Sequence, residues 1–254
     1  MIAALTQQFL SPSLYRPGRG APTFEVKFLI ALAQARAVED WIAPHLALDP
    51  HCEPALGNAY RVSSVYCDSP ELDVFHRAPG YASRKFRLRR YGDSPGVFLE
   101  RKTKWGDRLL KRRTWVPPDD LERLAQSSCD RQWPAFWFHR HLTARRLRPT
   151  CHVSYLRTAY AALNGEGPMR LTIDRSLICV PHTDWIAAPA AEGRPIVADE
   201  AILELKFSTA LPVLFRRLLY EMGLGPRTLS KYRRAVEIWD LDGRSGERER
   251  CRIG

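Results

Sequence analysis

The sequence lacks the features that mark membrane, secreted and disulfide-rich proteins. No apolar run approaches the ~18 residues that span a bilayer. The opening stretch, Met1 to Leu10, lacks the charged start and long apolar stretch of a secretory signal. The six cysteines have no paired short spacing, so neither a zinc site nor a disulfide framework is indicated. These absences predict a cytoplasmic protein with reduced thiols and no membrane span.

Familiar nucleotide-binding and nucleophile motifs are also missing. The chain contains neither a Walker loop nor a dinucleotide-binding fingerprint. Ser63, Ser64 and Ser154 stand in no recognisable nucleophile motif, so we interpret them as strand hydroxyls.

What the chain does have is a large excess of basic residues. Its net charge of +11 and isoelectric point near 9.7 predict an anionic partner. That partner could be nucleic acid, a membrane surface, or a phosphate-rich small molecule or polymer. Between Arg84 and Arg113 there are twelve Lys or Arg and three acids, so this segment alone holds +9 of the net charge.

The apolar pattern predicts an α+β domain dominated by antiparallel strands. Short alternating runs separated by Gly, Pro and Asp turns indicate a meander, and amphipathic stretches indicate peripheral helices. The predicted strands are 24–28, 60–66, 84–91, 96–104, 111–116, 151–160, 169–173 and 201–207, and the predicted helices are 31–48, 121–125, 133–147, 211–222 and 230–239. About eight strands with peripheral helices favour an antiparallel β-barrel tunnel. We expect one domain over 23–242, with flexible segments at 1–22 and 243–254.

Charged residues recur at every second position of these strands, so each set shares one face of its strand. The alternating charges are those of Glu25 and Lys27; Lys85, Arg87 and Arg89; Glu100 and Lys102; Arg157; Arg170; and Glu204 and Lys206. From the pattern alone, a solvated outer face is as good an interpretation as a charged inner face. If the sheet closes, the second interpretation gives a wet lumen lined with cations that suit phosphate.

Seven segments appear in one order along the chain: Glu25 to Phe28, Lys85 to Asp93, Phe98 to Lys102, Arg157, Arg170, Leu203 to Lys206, and Ser230 to Tyr232. Together they resemble the VTC domain family, the polyphosphate polymerases of the CYTH or triphosphate tunnel metalloenzyme superfamily. Each motif is weak alone, but seven in one order are much more specific.

The resemblance implies a tunnel in which ATP binds through its phosphates and a divalent metal, Mn²⁺ or Mg²⁺, and in which polyphosphate is made. It implies a phosphate-binding catalytic set of Lys27, Arg87, Arg89, Lys102, Arg157, Arg170 and Lys231. Secondary phosphate-binding candidates are Lys85, Lys111, Arg113, Lys206 and Ser230, and the metal ligands are Glu204 first, with Glu25 and Glu100. We expect Lys111 and Arg113 to share a side, although a one-residue register error would reverse it.

The chain departs from the wider superfamily's Glu-x-Glu-x-Lys opening, because Thr23 stands at the first acidic position. Triphosphate hydrolysis in relatives relies on several acidic residues, so their scarcity favours a polymerase over a triphosphatase or cyclase. It also permits a noncatalytic sensor or accessory domain that binds polyphosphate or inositol phosphates.

Other functions stay open at this point. A membrane-protein partner is compatible with the sequence, whereas nucleic acid is not the expected partner, because acidic residues alternate with the basic ones on the strands. His139 and His141 are interpreted as part of a solvated helix face. Trp133, Phe136, Trp137 and Phe138 are interpreted as a buried aromatic cluster rather than a base-stacking surface.

Overall fold

The protein is built around one antiparallel sheet, seen in a computed structural model that describes residues 24–105, 108–164, 167–188, 192–227 and 229–243. The strands are β1 (Phe24–Ala31), β2 (Ala47–Leu48), β3 (Tyr60–Asp68), β4 (Arg84–Tyr91), β5 (Val97–Trp105), β6 (Arg108–Val116), β7 (Arg148–Asn164), β8 (Gly167–Pro181), β9 (Arg194–Pro195) and β10 (Glu200–Phe207). The helices are α1 (Leu32–Ile42), α2 (Asp73–His76), α3 (Phe136–Ala144), α4 (Val213–Glu221) and α5 (Lys231–Ile238), with 3₁₀ turns at Pro54–Leu56 and Pro118–Ala125.

Eight of the strands follow one another around a curled half-barrel in the order β1-β10-β8-β7-β3-β4-β5-β6. The short strands β2 and β9 pair with β7 and β8. The two edge strands, β1 and β6, approach until some of their Cα atoms lie within 8 Å of one another. The sequence-based prediction of an antiparallel tunnel-like sheet with peripheral helices is therefore confirmed.

Where helices cover it, the outer face of the sheet is apolar. Leu171, Leu203 and Phe28 lie in one buried cluster together with residues of α1 and α4. Over β4 and β5, Phe86 and Leu99 pack with α3 and the Pro118–Ala125 turn. Each such side chain contributes about 1.5–3 kcal/mol when it is fully buried. Because side chains alternate along a strand, covering these residues directs their charged neighbours to the inner face.

The last helix packs differently, against the inner face. The ring of Tyr232 stacks on that of Tyr66 with centroids 5.4 Å apart, and its hydroxyl donates to Asp68. Asp68 also accepts from the backbone N–H groups of Val74 and Phe75, which fixes α2 beside α5. This packing places the N-terminus of α5 over the charged surface.

Several element boundaries differ from the sequence-based prediction. The predicted helix 31–48 ends at Ile42, and Ala47–Leu48 pairs with β7 instead. Pro44 lies just beyond that end, and proline cannot donate the helical hydrogen bond. Strands β7 and β8 are longer than predicted because their pairing runs continuously from the Asn164–Gly167 pair to the Cys151–Pro181 pair, apart from a shift of register between Ser154 and Leu156.

Three of the four aromatic residues predicted to form a buried cluster are buried, whereas Phe136 is half-buried, and the prediction for His139 is wrong. Trp133, Trp137 and Phe138 are at most 9% exposed. His139, expected on a solvated face, is 3% exposed and its Nε2 lies 2.8 Å from the carbonyl oxygen of Gln126. Trp137, Phe138 and Leu142 are buried in the cluster over the sheet, whereas the side of α3 that carries Arg140 is exposed.

The remaining expectations concern cysteines, membrane spans and chain ends. Within the described part of the chain, Cys52, Cys67, Cys129, Cys151 and Cys179 are free thiols. No helix there is long and apolar enough to cross a membrane. The segment 1–22, Thr23 and residues 244–254 lie outside the described residues, so the predictions made for them are not tested.

Candidate functional site

The alternating charges share one continuous inner face. Antiparallel partners point to the same side of a sheet, and the registers align Lys27 with Glu204, Arg157 with Asp174, and Arg87 with Glu100. Strands and α5 together place these cations there: Lys27, Lys85, Arg87, Arg89, Lys102, Lys111, Arg113, Arg157, Arg170, Lys206 and Lys231. The strands supply four carboxylates: Glu25, Glu100, Asp174 and Glu204. Lys111 and Arg113 share this side, as expected, and Arg112 points to the other.

Glu25 and Glu204 meet around shared lysines. The Nζ of Lys27 lies 2.8 Å from Glu25 Oε1 and 3.4 Å from Glu204 Oε2. Lys206 pairs with both carboxylates, and Lys102 reaches Glu25 at 3.4 Å from the far side of the curl. Burial acts to raise the pKa of both carboxyls, but these lysines hold each pKa below its usual value. Both side chains are therefore ionised at neutral pH.

A second centre lies where β7, β8 and α5 meet. Arg157 makes two hydrogen bonds to Asp174, of 2.6 Å to Oδ1 and 2.8 Å to Oδ2. Lys231 adds a bond of 2.7 Å to Oδ2. Burial raises the pKa of Asp174, but Arg157 and Lys231 outweigh it and lower the pKa to about 2. Nearby, Arg170 on β8 forms an ion pair of 2.7 Å with Asp49, a residue that lies outside the strands.

Glu100 forms a third and separate centre. Its fully buried carboxylate accepts from Arg87 Nε at 2.8 Å and pairs with Arg87 Nη2 at 2.6 Å and with Lys111. Among the described residues, no cation pairs with both Glu100 and either Glu25 or Glu204. Of the three proposed metal ligands, the fold thus brings together Glu25 and Glu204, whereas Glu100 holds the guanidinium of Arg87.

Three cations from different elements gather at the ring of Tyr155. Arg89, Arg157 and Lys231 lie 6.0, 5.3 and 4.8 Å from the ring centroid. Arg89 is 4% exposed and donates to Ser64 at 2.9 Å. Among the described residues it has no carboxylate within 4 Å. Its charge is therefore not neutralised by a carboxylate of the described chain.

Lys85 is a second inner-face cation that pairs with no carboxylate of the described chain. Its Nζ donates to Ser230 Oγ at 2.8 Å, and the same oxygen accepts from the backbone N–H of Arg233 as the N-cap of α5. Burial, Lys27 and Arg87 together lower the pKa of Lys85 to about 7, against the opposing effect of Glu25.

The Lys85 ammonium should make tripolyphosphate binding depend on pH. A bound phosphate stabilises the charged form of the Lys85 amine. Above the pKa of the free protein, this amine has lost its proton and must take one up when the phosphate binds, which weakens binding. The affinity of wild type relative to that of Lys85→Arg is expected to fall by about tenfold between about pH 7 and about pH 9, a ratio in which the titration of tripolyphosphate itself cancels. Isothermal titration of tripolyphosphate at each pH measures this.

The matched variant is Lys85→Arg, which keeps the charge over the whole range. It should flatten most of the slope, and Lys111, whose pKa burial lowers to about 8, supplies the remainder. An equal slope in wild type and Lys85→Arg would exclude Lys85 as the titrating group.

The donor set suits one divalent metal shared with a phosphate ligand. Mg²⁺ and similar cations bind one or two carboxylates and complete their shell with water and substrate phosphates. Glu25 and Glu204 supply such a pair, and the lysines around them are 18–27% exposed, so they can move toward solvent or phosphate. In the described residues there is no cluster of three or more His, Cys, Asp or Glu that could hold a metal without such a ligand.

The sequence did not single out several inner-face residues. Asp174 stands four positions after Arg170 on one strand, so the period of two was a usable signal. Tyr66 and Tyr155 carry no charge and Asp49 follows a two-residue strand, so no periodicity marked them. Thr172, also on the inner face between Glu204 and Ala159, is 1% exposed.

A curled antiparallel sheet with a cationic, carboxylate-poor inner face defines a triphosphate tunnel domain. The model of the VTC domain family matches residues 23–240, and the chain belongs to that family. None of the curated protein sequences matches it.

Several solved structures are similar to this chain at low sequence identity. A candidate adenylate cyclase of Bacillus halodurans is 11% identical, with a TM-score of 0.50, over 82% of this chain and 92% of its own. A candidate adenylate cyclase of Vibrio parahaemolyticus is 14% identical, with a TM-score of 0.46, over 85% and 98%. The Hippeastrum protein HpAC1, described as having a dominant triphosphatase activity, is 12% identical, with a TM-score of 0.48, over 85% and 94%.

Proposed function

We propose that the protein is a polyphosphate polymerase that transfers the γ-phosphate of ATP to the end of a polyphosphate chain bound in the tunnel. The observation that carries this proposal is the state of the carboxylates. Glu25, Glu100, Asp174 and Glu204 each lie within 4 Å of at least one Lys or Arg. A lumen of this kind neutralises phosphate well, and among the described residues its strands offer no carboxylate that is free of a Lys or Arg partner.

The pairing of these carboxylates bears on which acceptor the site can use. Water must lose a proton when it attacks phosphorus, so a hydrolase needs a group to take that proton. The end of a phosphate chain is already anionic and can attack without one. Among described inner-face residues every strand carboxylate is ion-paired, which favours phosphate over water as the acceptor.

The protein's part in transfer is binding, alignment and charge neutralisation. Arg89, Arg157 and Lys231 converge on one region of the lumen and can hold a triphosphate with its γ-phosphorus facing a second chain. Their charges oppose the negative charge on the transferring oxygens, and ADP leaves as the new P–O–P bond forms. Glu25 and Glu204 would hold a divalent metal, Mn²⁺ or Mg²⁺, which supplies further charge neutralisation on the phosphates.

The deciding experiment incubates purified protein with ATP and either Mn²⁺ or Mg²⁺ and follows ADP and polymer together. Arg87→Ala with Arg89→Ala should remove ADP release and the polyphosphate ladder on a gel, since both guanidiniums face the lumen. The matched control is Arg61→Ala with Arg90→Ala, which removes the same charge from the opposite face of β3 and β4. The proposal is supported if the wild type and the control make polymer and the Arg87→Ala, Arg89→Ala variant does not.

Two other results would contradict the proposed polymerase function and indicate a different one. Release of ADP with free phosphate and no polymer would mean a triphosphatase. Tight polyphosphate binding without turnover under either metal would mean a noncatalytic sensor or accessory domain.

A further inference from the structure

The outer wall of the tunnel carries a second cluster of arginines, which we call the outer arginine patch. It consists of Arg84, Arg101, Arg112, Arg140 and Arg145. Arg101 and Arg112 are register partners on β5 and β6, and they face away from Lys102 and Lys111. The patch therefore lies on the opposite surface of the same strands that line the lumen.

No carboxylate balances this charge within the described part of the chain. None of the five guanidiniums has an Asp or Glu within 4 Å there, in contrast to most of the inner-face cations. Burial and the neighbouring charges of Arg84, Arg112 and Arg145 lower the pKa of Arg101. Like charges held this close repel, and a bound anion would relieve that repulsion.

Packing holds the patch in place. Arg112 lies over the ring of Trp137 at 4.3 Å, and Arg101 lies over the same ring at 5.9 Å. Arg101 Nη1 is 2.7 Å from His141 Nε2. Burial and Arg101 lower the pKa of His141 to about 4, so its ring is neutral and accepts this hydrogen bond. The guanidiniums of Arg101 and Arg112 are thus oriented before any ligand arrives.

The patch also has unused donors and space. The Nε of Arg101 is buried and has no hydrogen-bond partner among the described residues. A cavity of about 190 Å³ lies at the patch, lined by its residues Arg112 and Arg140 together with Phe136, Trp137 and His141. Planar guanidiniums donate in pairs to phosphate oxygens, and this all-arginine set lacks the carboxylates that would hold a metal.

From this geometry we infer that the outer arginine patch is a second polyphosphate-binding site, which holds a stretch of polymer outside the tunnel. Naming polyphosphate as the ligand rests on the proposed function, but binding at the patch needs no turnover. Nucleic acid fits less well. Trp137 is 9% exposed and Arg112 covers its ring, which leaves no open face on that indole for a base.

The test compares a long-chain polyphosphate with tripolyphosphate, each titrated into the full-length protein at low salt. Arg101→Gln with Arg112→Gln should weaken long-chain binding by about tenfold and leave tripolyphosphate, which the lumen holds, unchanged. Arg36→Gln with Arg216→Gln is the matched control, since it removes the same charge from exposed positions on α1 and α4. A second pair, Arg140→Gln with Arg145→Gln, should act in the same direction if the first pair unfolds.

The outcomes separate this inference from the proposed function. Unchanged long-chain binding in both patch variants, or an equal loss in the control, would overturn the inference. If the patch variants lost tripolyphosphate binding but kept long-chain binding, the polymer would be bound only in the lumen, and the inference would also be overturned. Tighter binding of a duplex oligonucleotide than of long-chain polyphosphate at the patch would assign it to nucleic acid. A protein that makes no polymer from ATP, yet shows the patch-dependent difference, would fail only the proposed function.

Discussion

Replacing Glu204 with glutamine is expected to lower metal-dependent turnover by about 100-fold or more while the protein stays folded. Glutamine keeps the shape of the side chain but loses the charge that would hold a divalent metal beside Glu25. It also removes the anion shared by Lys27 and Lys206, whose ammonium groups lie against Glu204. ADP release, measured over a range of Mn²⁺ concentrations, should show both a lower maximum and a higher metal requirement.

The fold should tolerate this change. The side chains of Lys27 and Lys206 are 27% and 22% exposed, so water can solvate them once the carboxylate is gone. The loss in free energy of unfolding should be about 1–3 kcal/mol. Glu39→Gln on α1 is the control, because it removes a carboxylate that binds Arg175 at 2.6 Å outside the lumen. Full turnover by folded Glu204→Gln at every metal concentration would show that Glu204 is not a metal ligand.

The charged face of the sheet could be predicted from the sequence because alternate residues of a strand point to the same side. In Arg87-Leu88-Arg89 the two arginines must share a side, and the register with Tyr66 and Ser64 confirms it. What the pattern could not decide was whether that side was solvent or lumen. The answer depends on α1, α3 and α4 covering the other face, and these contacts join residues far apart in the sequence.

The same distinction explains what sequence reasoning missed. Asp49 reaches Arg170 across 121 positions, and Tyr232 reaches Asp68 across 164. Neither pair has a spacing that a strand or helix period would reveal. His139 was misread because the helical pattern of α3 shows an amphipathic face but not the loop at Gln126 that covers its polar side. Residue pairs that come together only through the tertiary structure produce no periodic pattern in the sequence.

Replacing Asp174 with asparagine is expected to reduce the free energy of unfolding by about 3–5 kcal/mol, because it leaves two buried cations without their anion. Arg157 and Lys231 are 8% and 10% exposed at the side chain, so water cannot readily replace the carboxylate. Urea denaturation followed by circular dichroism measures the loss. Asp184→Asn, at a carboxylate 60% exposed, should cost little and serves as the control.

The pH dependence gives an independent check on the same carboxylate. Its pKa is about 2 in the folded protein against an ordinary value of 3.8, so its stabilising effect is present above pH 3.8 and is lost as pH falls through 2. The difference in free energy of unfolding between wild type and Asp174→Asn should therefore shrink over that window. A difference that stays constant down to the lower limit would mean that the carboxylate's charge is not what stabilises the fold.

A phosphate ligand should compensate for the missing carboxylate. If polyphosphate enters the lumen beside Arg157 and Lys231, its oxygens can take the place of Asp174 as the counter-charge. Tripolyphosphate should then raise the melting temperature of Asp174→Asn more than that of wild type, where the carboxylate already neutralises both cations. An equal rise in the two proteins would place the ligand away from this centre, because a ligand that never meets these cations cannot distinguish the paired from the unpaired state.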